Sequence, residues 1–162
     1  FCIKPLMDKI RAEIVDTGIP LFLKTQLEIK APPKVIFDLI ADPKSHTRID
    51  GSGMLKGELK APERLYLGAS FGMKMRLGIP YIIKNTVLEF EENKSIAWRH
   101  LLHNVWRYEL IEIDPRTTLV IQSWDGRNAR SKWWVSDSYK WVPKAMARTL
   151  VKLKELAEKQ VS

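Results

Sequence analysis

The sequence predicts an α+β domain in which an antiparallel sheet of about seven strands packs on one long C-terminal helix. Three observations predict it. From Pro143 to Gln160, Met146, Ala147, Leu150, Leu153 and Ala157 recur at helical spacing, while Lys144, Arg148, Lys152, Glu155 and Lys159 lie on other faces; this is one amphipathic helix with Pro143 in its first turn. Between residues 21 and 124 the dominant pattern is alternation of apolar and polar residues, the period of strands with one buried face. A sheet with one apolar face needs a second layer, and the closing helix supplies it.

A chain of 162 residues suits one core. We divide it into an N-terminal extension over residues 1–20 and a main domain over residues 21–162. In the extension, Ile3, Leu6, Met7, Ile10 and Ile14 are spaced for a short helix over residues 1–16 that ends near Thr17-Gly18. Leu21, Leu23, Thr25, Leu27 and Ile29 then alternate with polar neighbours as a first strand. In Ala31 to Pro43, paired prolines start a helix, Val35, Ile36, Leu39 and Ile40 form its apolar stripe, and Pro43 ends it. His46, Arg48 and Asp50 lead through one further helical turn into the Gly51-Ser52-Gly53 loop, where Ser52 reads as a turn residue.

The remaining strands follow from pattern. Met54 to Leu59 is short; Phe71, Met73, Met75, Leu77 and Ile79 give the clearest alternation; Tyr81 to Glu91 returns the chain. In Ser95 to Leu102 the residues Ile96, Trp98, His100 and Leu102 share a face, and in the next strand Trp106, Tyr108 and Leu110 oppose Arg107 and Glu109. A three-residue loop of His103, Asn104 and Val105, with Asn104 left-handed, sets Arg99 opposite Glu109 and His100 opposite Tyr108. Thr117 to Trp124 is the last long strand, and Asp125 to Val142 is a long connection without clear periodicity.

A strand running into IKAPPKVIFDLIADP (Ile29 to Pro43), the strands after it, the pair WRH (Trp98 to His100) and WRYEL (Trp106 to Leu110), and the terminal helix together resemble the START-like (SRPBCC) superfamily. Within it they resemble bacterial members of the polyketide cyclase/dehydrase and lipid-transport group, over Leu21 to Gln160. The resemblance implies a helix-grip, Bet v 1-like fold: a curved sheet wrapped around the C-terminal helix, with a cavity between them. It implies no universal catalytic motif, because cyclases, lipid carriers, receptors and chaperone cofactors share this scaffold.

Phe71, Met73, Met75, Leu77, Trp98, His100, Trp106 and Tyr108 are the candidate ligand-binding residues on the sheet, with Met146 and Leu150 on the helix. Alternating apolar strands serve equally as a filled core, and methionine suits either role; the resemblance is what favours a cavity. His100 and Tyr108 are the candidate catalytic residues, since either is able to orient a carbonyl or move a proton, and both also fit a purely structural role. No metal site is expected: His46, His100 and His103 have no close carboxylate, and residues three apart on a strand face opposite sides. The glycines form no phosphate-cradling loop, Asp50-Gly51-Ser52-Gly53-Met54 lacks the outer glycines of a nucleophile elbow, and no cofactor is implied.

The formal charge is +8, and Arg127 to Ser162 carries nine Lys and Arg against three Asp and Glu. Trp133 and Trp134 beside Arg130 and Lys132 are candidates for contact with an anionic membrane or for a lid over the cavity mouth, and nucleic acid is the less favoured partner. The single cysteine, Cys2, excludes an internal disulfide, and the apolar runs are too short for a membrane span, so a soluble cytoplasmic protein is expected. Three functions stay open: binding or transport of a lipid-like or aromatic polyketide-like molecule, a cyclase/dehydratase using the same cavity, or a partner-binding module acting through its outer surface.

Overall fold

The computed structural model of the protein describes residues 10–100, 103–129 and 132–162. Eight strands, β1 (Glu13–Val15), β2 (Phe22–Ile29), β3 (Leu55–Leu59), β4 (Ser70–Leu77), β5 (Ile79–Glu91), β6 (Ser95–His100), β7 (Val105–Asp114) and β8 (Thr117–Asp125), form one antiparallel sheet in the order β1-β2-β8-β7-β6-β5-β4-β3. Helices α1 (Pro33–Ala41) and α2 (His46–Ile49) follow β2, joined by a 3₁₀ turn at Pro43–Ser45; α3 (Lys132–Ser138) and α4 (Val142–Val161) follow β8. No helix among the described residues is long and apolar enough to cross a membrane.

Helix α4 lies across β2 and β8 and also touches α1 and α2. Most of the stripe read from the sequence is buried: Met146, Leu150, Leu153 and Ala157 are fully covered, with Val142, Ala145 and Thr149 beside them, while Ala147 is half-buried. Each buried leucine contributes about 1.5–3 kcal/mol. Helix α1 begins on Pro33 and stops at Asp42, whose extended backbone precedes Pro43 and whose carboxylate caps the next turn by accepting from Lys44 N at 3.0 Å. The loop after α2 is clamped to α4: Gly51 N donates to Thr149 Oγ1 at 2.9 Å, and Lys152 Nζ donates to the Asp50 carbonyl at 2.7 Å. Ser52 is the turn residue expected, with its N and Oγ both donating to Asp50 Oδ1.

Three local expectations are corrected. The N-terminal helix was expected through residue 16, yet Glu13–Val15 pairs with β2 as an added edge strand, with Gln26 Nε2 donating to Glu13 Oε2 at 2.8 Å; residues 1–9 lie outside the described residues. Helical spacing is outweighed there because α4 already covers the sheet face over β2, whereas the edge of β2 offers unpaired backbone groups. The β6–β7 register differs by four residues: Arg99 stands opposite Val105, and Ile96 rather than His100 stands opposite Tyr108. His103, not Asn104, takes the left-handed conformation (φ 69°), and His100 N bonds to the Asn104 carbonyl. An even shift leaves every side chain on its expected face but moves its neighbours. Within the connection from Asp125 to Val142, α3 supplies order that the sequence pattern did not show.

Candidate functional site

Register and pleat place one set of side chains on the concave face: Thr25 from β2, Val120, Gln122 and Trp124 from β8, Trp106, Tyr108 and Leu110 from β7, Ile96, Trp98 and His100 from β6, and Asn85 and Val87 from β5. On β4 and the first half of β5 the same face carries Phe71, Met73, Met75 and Leu77, then Ile79, Tyr81 and Ile83. The floor is aromatic. The His46 ring stacks on Trp98 at 5.2 Å, Phe71 meets both edge-on at 5.6 and 5.7 Å, and Tyr108 lies 5.7 Å from Trp98.

Of the residues singled out from the sequence, Phe71, Trp98 and Tyr108 are buried together in this floor. Met73, Met75 and Trp106 are half-buried, and Leu77 is exposed. Met146 packs with Trp124, Val142 and Trp106, and Leu150 sits in the main core. Trp133 is exposed on α3, while Arg130 and the side chains of Lys132 and Trp134 lie outside the described residues. The structure does not bring His100 and Tyr108 together. Tyr108 lies opposite Ile96, four residues before His100, so roughly 13 Å of strand separates them.

Burial sets the protonation states. It pushes His100 down to about 4, so its imidazole is neutral at pH 7. It also lowers His46, whose Nε2 lies 2.7 Å from the Ile40 carbonyl, and that contact fixes a proton on Nε2 when the ring is neutral. The Tyr108 hydroxyl is held well above its usual range by burial, with the nearby Asp50 charge adding to the effect. It keeps its proton and accepts a hydrogen bond from Gln122 Nε2 at 3.1 Å.

Three polar members of the concave face were given no role from the sequence. Thr25, Asn85 and Gln122 are all buried, and Thr25 Oγ1, Asn85 Nδ2 and Gln122 Oε1 have no hydrogen-bond partner among the described residues. Thr25 and Gln122 are register partners, and Asn85 stands between Phe71 and His100. The signal was available: Gln122 shares its parity with Val120 and Trp124, and a glutamine on the covered face of a strand is a departure from pattern. Among the described residues no group of three His, Cys, Asp or Glu is arranged to hold a metal ion.

The opposite end of the sheet differs in chemistry. A depression of about 640 Å³ there is lined by Pro32, Pro33, Glu89, Glu109 and Glu112 around Arg107. Arg107 bonds to both oxygens of Glu89 at 3.0 and 3.1 Å and to Glu109 at 3.0 Å. The pairing lowers the Glu89 carboxyl, and the cleft is polar and separate from the aromatic floor.

The architecture now has close counterparts among solved structures. Protein Ms6760 from Mycobacterium smegmatis superposes with a TM-score of 0.72 at 15% identity, over 93% of this chain and 99% of that one. The ZhuI aromatase/cyclase from Streptomyces sp. R1128 superposes with a TM-score of 0.69 at 13% identity, over 87% of this chain and 95% of that one. The fold is the helix-grip fold. By sequence the chain is similar to the uncharacterized protein Rv0088 of Mycobacterium tuberculosis (strain H37Rv), 36% identical over 124 residues. That match takes in 76% of this chain and 55% of the relative, so the chain spans about half the length of the curated relative it matches. No family model matches the sequence.

Proposed function

We propose that the protein binds a hydrophobic, lipid-like or ring-containing small molecule along the concave face, as a carrier or binding protein. One observation carries this reading: the apolar face is continuous from the buried floor of Phe71, Trp98 and Tyr108, through half-buried Met73 and Met75, to exposed Leu77, Ile79 and Tyr81 at the rim. Helix α4 does not cover this part of the sheet, since it packs on the β2 and β8 side. A molecule lying on that track exchanges water for pliant methionine and aromatic surface. Buried Asn85 Nδ2, which stands beside Phe71 and has no partner among the described residues, favours a ligand with a hydrogen-bonding group of its own.

The cyclase/dehydratase reading rests on His100 and Tyr108, the first neutral and able to accept a proton, the second protonated and able to donate. Their separation of roughly 13 Å suits two points on a long chain rather than one reacting carbon. The carrier reading therefore stands first.

Native mass spectrometry of the protein purified from its own host tests it. The expected spectrum contains a species heavier than the bare chain, removed by organic extraction, and Met75→Asp lowers its fraction at least tenfold. A spectrum of the bare chain only, together with no gain in fluorescence of 1-anilinonaphthalene-8-sulfonate on addition of protein, counts against the proposal.

A further inference from the structure

The β4–β5 hairpin extends past its neighbours. Among the described residues β6 ends at His100, opposite Asn85, and none on that edge of the hairpin pairs with β5 before Asn85; on the other edge β3 pairs with β4 as far as Met75, and Arg76 N donates to the Met54 carbonyl just before β3. What projects is a two-stranded ribbon with its tip at Gly78, where φ is +72°. A ribbon of this kind has little stability of its own in water and is expected to be polar. This one is not: Leu77, Ile79, Tyr81 and Ile82 are all exposed, Ile79 by 76% and Ile82 by 64%.

Both faces of the ribbon are apolar at the tip. Leu77, Ile79 and Tyr81 continue the concave face, whereas Ile82, paired with Lys74, and Pro80, paired with Arg76, point the other way. A ligand on the concave track accounts for the first set and leaves the second unexplained. Behind the tip stand Lys74, Arg76 and Lys84, all exposed, and residues 70–88 contain no Asp or Glu. None of these three cations forms an ion pair among the described residues.

We propose that the tip of this hairpin inserts into the surface of an anionic lipid bilayer, with Leu77, Ile79, Tyr81 and Ile82 in the interfacial layer and Lys74, Arg76 and Lys84 on the headgroups. Leu77 and Ile79 lie ahead of every cation, Arg76 follows one pair behind them, Lys74 is level with Ile82 and Lys84 is set furthest back, so the long cationic side chains reach the headgroups while the apolar groups beside and ahead of them enter the interfacial layer. A second copy of the chain fits less well. Apposed hairpins bring three cations against three, Pro80 removes one donor from the open edge of β5, and four apolar side chains fall far short of the roughly 20–30 residues a side of a stable interface.

Co-sedimentation of the intact chain with ligand-free vesicles tests the inference independently of what the concave face binds. Vesicles of phosphatidylcholine with about one-third phosphatidylglycerol are expected to bind at least tenfold more tightly than phosphatidylcholine alone, with affinity falling as salt rises. Each cation near the surface is worth roughly fivefold, so Lys74→Gln/Arg76→Gln/Lys84→Gln lowers affinity roughly a hundredfold. Ile82→Ser, which leaves the concave face intact, is expected to lower it at least fivefold with unchanged thermal unfolding. Unchanged binding in both variants overturns the proposal, as does loss of binding only when the α4 cations Lys144 and Arg148 are replaced. A concentration-dependent dimer in sedimentation equilibrium that Ile82→Ser abolishes overturns it too, assigning the tip to self-association.

Discussion

Gly51 shows how one residue holds two elements together. A Cβ built there falls 2.2 Å from the Ala145 carbonyl oxygen and 2.6 Å from Thr149 N, so the α2–β3 loop and the α4 backbone touch with no room for a side chain. The obstruction is backbone rather than a flexible side-chain end, and it cannot move without unseating α4. Gly51→Ala is expected to destabilise the fold by about 2–4 kcal/mol, read as a lower urea midpoint. Gly53, two residues on, has open space around its Cβ position and a φ of +75°; the two glycines serve different needs. In the sequence they form one flexible-looking Gly-Ser-Gly loop, and nothing in the pattern separates them.

At the scale of elements, turns decide which side chains meet. Lys60, after β3, is held in the left-handed region at φ 47°. An L side chain there costs about 1 kcal/mol that glycine does not incur. Lys60→Gly is therefore expected to raise stability by about 0.5–1 kcal/mol, measurable as an upward shift of the thermal midpoint; a downward shift contradicts the strain. The β6–β7 turn shows the other consequence of turn geometry. Alternation assigned Trp98, His100, Trp106 and Tyr108 to one face, and they share it. Alternation has a period of two and is blind to an even shift, so it did not report that His100 and Tyr108 are far apart. That distance bears directly on whether the two are able to act on one reacting centre.

For the whole molecule, the buried histidines link stability to pH. His46 has its folded pKa below the ordinary 6.5, and His100 is pushed down to about 4, in both cases by burial. A group of this kind binds more protons unfolded than folded between its two pKa values, so stability rises with pH through that window. The stability they allow is complete above about pH 6.5 and is lost as pH falls toward 4. Thermal midpoints are expected to drop between pH 7 and pH 4.5, before most carboxylates titrate. His46→Gln, which retains an Nε2 donor for the Ile40 carbonyl, is expected to flatten that slope. An equal slope in the variant assigns the effect elsewhere.

Periodicity in the sequence by itself determined the layer architecture: a strand-rich middle, the α1 boundaries at its prolines, and an α4 stripe from Met146 to Ala157 that is buried except at Ala147. These are local properties, since apolar spacing and proline geometry act within a few residues of where they are written. Tertiary structure alone decided that Glu13–Val15 joins an edge, because that depended on α4 already covering the neighbouring sheet face. It alone brought His46 onto Trp98 from a different element, and left Thr25 Oγ1, Asn85 Nδ2 and Gln122 Oε1 buried without partners among the described residues, on a face that alternation describes only as apolar. The projection of the β4–β5 hairpin was likewise illegible in its own residues, because it is set by where β6 and β3 stop.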